Sequence, residues 1–452
     1  MLLTSILLLE GKWMAQVIIS ADIYDDSDIS FQKGKAIAFP TGKNLGSLPT
    51  LYDRNGIFVS VVNSYFFDLK AVSKMKDLNS YSRALLKYWS FIEDSNLQWD
   101  HFPPIKRLKP TYLFRSFLLT EIQENRLSQS TANIYINHVK NFYLWAIYEK
   151  FLLVKNEQEA PFKIEQLHVQ NTGALVHISP TIKIDSSDLR IRVAKDNQTK
   201  NVRSLSPLSR ESLKLLAQLL TQVSEELKLQ CLLALQCGLR IQEVSSFTIK
   251  ALNAAIPLAE SRHRYELPIG PSTGIATKYG KERYIEISIE LLTVLNNYAI
   301  SERRLKRLKK LENKLEAISL GNITLSKDKA DVFNSCKRFE PLFISEQGNP
   351  VNQKVIGARW AEFRSLIRKQ DPSFQHRFHD LRATYSTYRL NDLLETGLQA
   401  VEALELLMGW MGHNHEQTTW KYLKFLKRKE VFKEKFALLD SFMHEALGGC
   451  DE

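Results

Sequence analysis

Gly412-His413-Asn414-His415-Glu416-Gln417-Thr418-Thr419-Trp420-Lys421-Tyr422 sets a tyrosine nine positions after a histidine, among groups suited to phosphate chemistry. A phenol, with an unperturbed pKa of about 10, is a weak nucleophile at neutral pH, so it needs cationic neighbours and an electrophile whose charge is already neutralised. Such neighbours stand upstream. In His379-Asp380-Leu381-Arg382 the i, i+3 spacing puts an imidazole and a guanidinium on one face of a helix. In Cys237-Gly238-Leu239-Arg240-Ile241-Gln242-Glu243, which follows an apolar run, Arg240 is expected to emerge from a buried helix end with Glu243 beside it to orient it.

Taken together these segments resemble the tyrosine recombinase (phage integrase) family. There an arginine in a Gly-Leu-Arg-x-x-Glu context comes first, then a lysine on a β-hairpin, then His-x-x-Arg, then Gly-His, then tyrosine. All five stand here in that order: Arg240 with Glu243, Lys278 in Thr277-Lys278-Tyr279-Gly280-Lys281-Glu282-Arg283-Tyr284-Ile285, His379 with Arg382, His413, and Tyr422. Met411 replaces the usual leucine before Gly-His, and Glu286 stands where the family often has proline; neither is expected to touch the chemistry. Short motifs taken singly mislead, and the ordered set carries the weight.

The resemblance implies a catalytic set of Arg240, Lys278, His379, Arg382, His413 and Tyr422, supported by Glu243, with Lys281 and Arg283 as DNA contacts. It also implies a fold that is mainly α with a small antiparallel β-sheet, a helical SAM-like core-binding domain preceding an α+β catalytic domain. Attack on a phosphodiester builds charge on the nonbridging oxygens, and two permanently charged planar donors can hold both. No metal or other cofactor is then required. The departing 5′-oxygen needs a positioned acid, for which Lys278 is the candidate. His379 is placed to accept the tyrosine proton and His413 to donate to a nonbridging oxygen, with their division of labour open. A 3′-phosphotyrosyl intermediate would conserve bond energy, so rejoining needs no ATP.

Composition fits this without deciding it. The 452 residues suggest two to three domains, and 44% hydrophobic residues suffice for real cores. A net charge of +11 favours a polyanionic partner. Cys231, Cys237, Cys336 and Cys450 show neither a disulfide framework nor zinc-ligand spacing, which points to a reducing compartment. The apolar opening Met1 to Leu9 lacks a basic flank and is too short to span a bilayer, so the expected location is cytoplasmic, nucleoid-associated when bound to DNA, with no membrane partner.

Four regions follow. Residues 1–55 read as an irregular N-terminal extension, with Val17-Ile18-Ile19, an acidic cluster and Gly/Pro turns. Residues 56–155 turn helical, with Tyr81, Leu85, Tyr88, Trp89 and Ile92 in one stripe and Ile134, Val139, Phe142, Tyr143 and Ala146 in another, the latter helix capped at Ser130 or Thr131. The resemblance makes this the core-binding DNA clamp, although a generic helical domain explains the stripes equally well. Residues 156–205 read as a basic linker, either laid along phosphates or simply solvated. Residues 206–452 form the catalytic domain, opening on a helix capped by Ser209 and including a strand at Glu282 to Ile287. Within it, the leucines of Arg303-Arg304-Leu305-Lys306-Arg307-Leu308-Lys309-Lys310-Leu311 predict an apolar face on a basic helix that either contacts DNA or is solvated. After Tyr422, Phe432, Phe436, Leu439, Met443 and Leu447 share a helical face that docks on its own domain or, as the resemblance suggests, on a neighbouring protomer.

The expected function is therefore site-specific recombination or integration on double-stranded DNA, for integration or excision of a mobile element. The protein would work as a homotetramer on two DNA sites, with element-encoded or host DNA-bending proteins as accessory partners. Rival readings are an inactive DNA-binding accessory protein, and a type IB topoisomerase or telomere resolvase using similar chemistry. An HNH nuclease at His413-Asn414-His415, or a metal hydrolase using His376, His379, His413 and His415, would need convergent ligands with supporting hydrogen bonds.

Overall fold

The computed structural model describes residues 14–32, 35–156, 158–169, 182–191, 206–258 and 263–412. The chain divides into two compact units, Met1–Val202 with Ser326–Asp328, and Arg203–Leu325 with Lys329–Glu452. As expected, it is mainly helical with small antiparallel sheets.

The first unit opens on strands where irregular chain was expected. β1 (Gln16–Tyr24) pairs antiparallel with β4 (Asn44–Tyr52), and β2 (Ser27–Gln32) pairs with β3 (Lys35–Pro40). Leu48 and Leu51 of β4 are buried in the same core as the helices that follow. Asn63 holds β4 in both directions, accepting from Leu51 N (2.7 Å) and donating to Leu51 O (2.9 Å). The acidic cluster and the Gly/Pro turns masked this pattern in the sequence.

Among the described residues of this unit four α-helices follow: α1 (Ser60–Ala71), α2 (Asn79–Asp94), α3 (Pro110–Gln123) and α4 (Gln129–Tyr148). The α2 stripe of Leu85, Tyr88, Trp89 and Ile92 is buried, as are Val139, Phe142, Tyr143 and Ala146 of α4. Ile134 lies off that stripe, because Ala132 and Ile136 take the inward positions. The α4 cap is Ser128, whose hydroxyl accepts from Thr131 N (3.2 Å), in place of Ser130 or Thr131. The buried phenols find partners, Tyr88 Oη on Tyr143 Oη and Tyr143 Oη donating to Trp99 O, both at 2.6 Å. β5 (Ile164–Val169) and β6 (Ile182–Ser187) pair antiparallel within the stretch expected as linker. On either side Phe162, Leu189 and Ile191 are buried in this unit's core, so here the chain packs and does not run free.

The second unit is built on α5 (Arg210–Leu220), capped by Ser209 as expected, and α6 (Glu225–Gln236), buried almost all round. Short helices α7 (Ile241–Ser245) and α8 (Ile249–Asn253) lead into a three-stranded antiparallel sheet. Its strands are β7 (Ile256–Pro257), β8 (Arg264–Ile269) and β9 (Arg283–Ser288), with Leu267 opposite Ile285 and Ile269 opposite Arg283. Helices α9 (Ile289–Ala299), α10 (Glu302–Ser319), α11 (Lys327–Arg338), α12 (Gln353–Ile367), α13 (Phe378–Glu395) and α14 (Ala400–Met411) follow.

Helix α10 faces inward differently from its leucine spacing. Leu311 is buried, yet Leu305 is 47% exposed, and Arg304 and Arg307 occupy the inner face. Arg304 donates to Ala299 O (2.9 Å), Leu342 O (3.0 Å), Pro341 O (2.9 Å) and Glu340 Oε1 (2.5 Å). Arg303 and Arg307 reach the buried Glu226 at 2.7 and 2.5 Å. Lys310 and Lys314 of this helix also bind the protein, at Glu346 O (3.0 Å) and Asn349 Oδ1 (2.7 Å), while Lys306 stays exposed beside Glu302.

Candidate active site

The site is organised by one buried carboxylate. The apolar α6 ends at Cys237, and Gly238, with φ 65°, turns the chain through the left-handed region. A Cβ there would lie 2.4 Å from the Tyr385 ring, so both conformation and space require glycine. Arg240 then becomes the N-cap of α7, and Glu243 in the first turn of that helix accepts from Arg240 N (2.8 Å). The other oxygen of Glu243 accepts from Arg240 Nη1 (3.0 Å). Arg240 keeps its side chain 23% exposed, and among the described residues Glu243 is the partner of its guanidinium.

Two more arginines converge on Glu243. Arg283, from the first position of β9, binds it through both terminal nitrogens, Nη1 to Oε1 at 2.9 Å and Nη2 to Oε2 at 2.7 Å. Arg382, buried in the second turn of α13, stands 3.9 Å from Oε2 and donates to Gly238 O and, at 2.6 Å, to Met411 O. Burial alone would raise the Glu243 carboxyl. The Arg283 hydrogen bonds and charge, with Arg240 N and the charge of Arg382, outweigh it and hold the group below the usual carboxylate range.

His379 is exposed in the first turn of α13, whose N-cap Arg377 donates its backbone N–H to Asp380 (2.6 Å). Lys278 and Lys281 stand exposed on the turn between β8 and β9. Tyr279 and Gly280 both have φ near 63° there, and Thr277 Oγ1 closes the turn on Lys281 O at 2.7 Å. The Lys278 ammonium lies 5.0 Å from the Tyr279 ring centroid. His413 and Tyr422 lie outside the described residues, as do the helix after Tyr422 and His415. Gly412, the left-handed C-cap of α14, is described: Arg283 Cδ lies 2.9 Å from where its Cβ would be.

The structure therefore gathers Arg240, Glu243 and Arg382 and presents Lys278 on a turn. It departs from expectation at Arg283, read as a DNA contact: its side chain is 8% exposed and committed to Glu243 and, through Nε, to Trp410 O at 2.9 Å. Glu286, which stands where the family often has proline, is buried with Arg389 (2.5 Å) and Arg264 (3.4 Å) and accepts from Tyr385 Oη (2.8 Å). Burial and the neighbouring Glu286 drive the Tyr385 phenol far above its ordinary pKa, so it stays a neutral donor. The available signal was the spacing of Arg382 and Arg389, seven residues apart on one helical face. Of the proposed metal ligands, His376 directs Nδ1 to Ser206 O at 3.0 Å, and among the described residues no three His, Cys, Asp or Glu side chains converge as ligands would.

Chemically, the site fixes a guanidinium by a buried counter-charge while leaving it partly open to solvent, a preorganised donor for an oxyanion. Among the described residues no helix is long and apolar enough to cross a membrane.

Residues 208–428 match the model of the phage integrase family. No curated protein matches the sequence. Among solved structures, the chain is similar to the Tn1549 transposon integrase in complex with a circular intermediate DNA, at 15% identity over 82% of this chain and 99% of that one, with a TM-score of 0.47. A lambda integrase dimer bound to a COC′ core site matches at 14% identity over 83% and 96%, with a TM-score of 0.41. XerA recombinase matches at 14% over 83% and 98%, with a TM-score of 0.31. The matched residues 208–428, just under half of the chain, are the part that is similar to the phage integrase family, and they carry the Arg240, Lys278, His379, Arg382, His413 and Tyr422 positions in order.

Proposed function

We propose that this chain is a site-specific DNA recombinase that cuts and rejoins double-stranded DNA through a 3′-phosphotyrosyl intermediate. The observation that carries the reading is Glu243, buried at 0% exposure, fixing Arg240 through backbone and side chain with Arg382 3.9 Å away. Arg240, fixed yet partly open, suits a nonbridging oxygen of a phosphodiester, and the buried charge of Arg382 beside it adds to the field that oxygen meets. Tyr422 Oη attacks phosphorus as its proton passes to His379; the bond from phosphorus to the 5′-oxygen breaks as Lys278 protonates that oxygen. His413 donates to a nonbridging oxygen. The reverse reaction with a different 5′-hydroxyl completes exchange, with no net change in bond energy and no nucleotide. The biological setting we infer is integration or excision of a mobile element by a homotetramer on two DNA sites, with residues 56–155 as a second DNA-binding module and DNA-bending proteins as accessories.

The test is covalent capture on a nicked suicide duplex. Wild type should give an SDS-stable adduct that Tyr422→Phe, lacking one oxygen, does not give while still binding DNA. An adduct from the Phe variant would overturn the assignment. Lys278→Ala should be slow on ordinary DNA and largely restored when sulfur replaces the bridging 5′-oxygen, since thiolate leaves without protonation. Rescue of Lys281→Ala instead would move the acid three residues along. Strand exchange between two duplexes, as opposed to relaxation of one, separates recombinase from topoisomerase.

A further inference from the structure

Arg283 is the best-connected side chain of the site and has no place in the reaction just described. It projects from the base of the hairpin that carries Lys278, opposite Ile269. Its Nη1 and Nη2 clamp both oxygens of Glu243, and its Nε holds the Trp410 carbonyl at the end of α14. Its Cδ underlies Gly412, leaving no space for a side chain there. One guanidinium thus joins the Arg240 turn, the lysine hairpin and the helix end that leads into His413.

We infer that Arg283 is a positioning residue that sets Arg240 through Glu243 and ties the hairpin to the Gly412 turn, and that it does not contact DNA. The inference rests on the recombinase reading for its chemistry, and on the geometry for its mechanism. The charged groups facing Glu243 are Arg240 from the N-cap of α7, Arg283 from β9 and Arg382 from α13. Arg382 stands at 3.9 Å with its two terminal nitrogens on the Gly238 and Met411 carbonyls, so it is a poor substitute for the lost fork. Without Arg283 the buried carboxylate loses its closest charge and two hydrogen bonds, and its proton affinity rises. A protonated Glu243 would no longer hold Arg240 by charge. A lysine at 283 restores the charge but neither the paired geometry nor the Nε bond.

The experiment compares wild type, Arg283→Gln and Arg283→Lys in the full chain. Single-turnover cleavage of the suicide duplex is measured against pH, alongside noncovalent DNA binding against salt. For Arg283→Gln we expect cleavage slowed about 10²-fold, the scale of a small misplacement of a catalytic group. Its acid limb should move to higher pH, because activity needs ionised Glu243 and is lost as pH falls through the raised pKa. DNA affinity and its salt slope should match wild type. Arg283→Lys should recover part of the rate and most of the acid limb, and it serves alone if the Gln variant does not fold. Unchanged cleavage with an unshifted acid limb in either variant would overturn the inference. So would a loss that tracks weaker DNA binding with a shallower salt slope, which would make Arg283 a phosphate contact after all. If wild type forms no adduct, the recombinase reading fails on its own. Arg283 is then judged by isotope-edited carboxyl titration of Glu243, expected to shift upward in Arg283→Gln without any DNA present, and an unshifted titration counts against it.

Discussion

Of the buried carboxylates in the second unit that collect arginines, Glu226 at the start of α6 and Glu243 in α7 make a pair to compare. Both are held below the usual carboxylate range, burial pushing up and arginine hydrogen bonds pushing down harder. Around Glu226, Arg307 spends a nitrogen on Ile344 O, and the adjacent Arg304 is committed to three carbonyls and Glu340. That cluster braces α10 against the segment around residues 340–344. Around Glu243, Arg283 and Arg382 are similarly committed, and each cluster leaves one guanidinium partly open, Arg240 here at 23% and Arg303 on Glu226 at 51%. What separates them is where the arginines come from: Glu243 joins Arg240 to the strand after the Lys278 turn and to the helix that carries His379, whereas the arginines on Glu226 come from α10 alone.

The largest effect expected is in the carboxylates themselves. Glu226→Ala and Glu243→Ala each strand buried arginines, and each should cost about 3–5 kcal/mol in urea unfolding. Only Glu243→Ala should abolish adduct formation per folded molecule, and equal losses in both would erase the contrast. Next come the cations. Arg240→Lys should slow cleavage about 10²–10³-fold, equivalent to about 2.7–4 kcal/mol of transition-state stabilisation, with stability nearly unchanged. Arg304→Met should leave cleavage per folded molecule intact while lowering the thermal midpoint, since it strands carbonyls that Arg304 serves. The smallest effect sharpens the same division between scaffold and site. Ser209→Ala and Ser128→Ala each remove a helix cap, at about 1 kcal/mol each by denaturant unfolding, and neither should alter the cleavage rate of folded protein.

Much of this was legible in the sequence. The Ser209 cap, the strand at β9, the α2 stripe and the contact of Arg240 with Glu243 follow from local spacing, which is where sequence patterns carry information. What was not legible depends on distant partners. Arg303 and Glu226 are 77 residues apart, and the acceptors of Arg304 near residue 340 lie about as far along the chain as Arg283 does from Glu243. Leucine spacing on α10 named Leu305 as inward because it cannot know that carbonyls await Arg304 and Arg307. The family resemblance implies a DNA contact at Arg283. Its turn inward is set by Glu243 and Trp410, which no local pattern couples to it.

The amide of Asn63 has a practical consequence for anyone isolating the first unit. Because it serves both the N–H and the carbonyl of Leu51, a fragment begun at the first helix would not be shedding a tail. It would leave a polar side chain without partners beside Val62 and Phe66, and uncover the apolar surface that Leu48 and Leu51 close. Such a fragment is expected to aggregate during expression, whereas one that begins ahead of Ala15 retains the strand and its bonds and has the better prospect of folding alone.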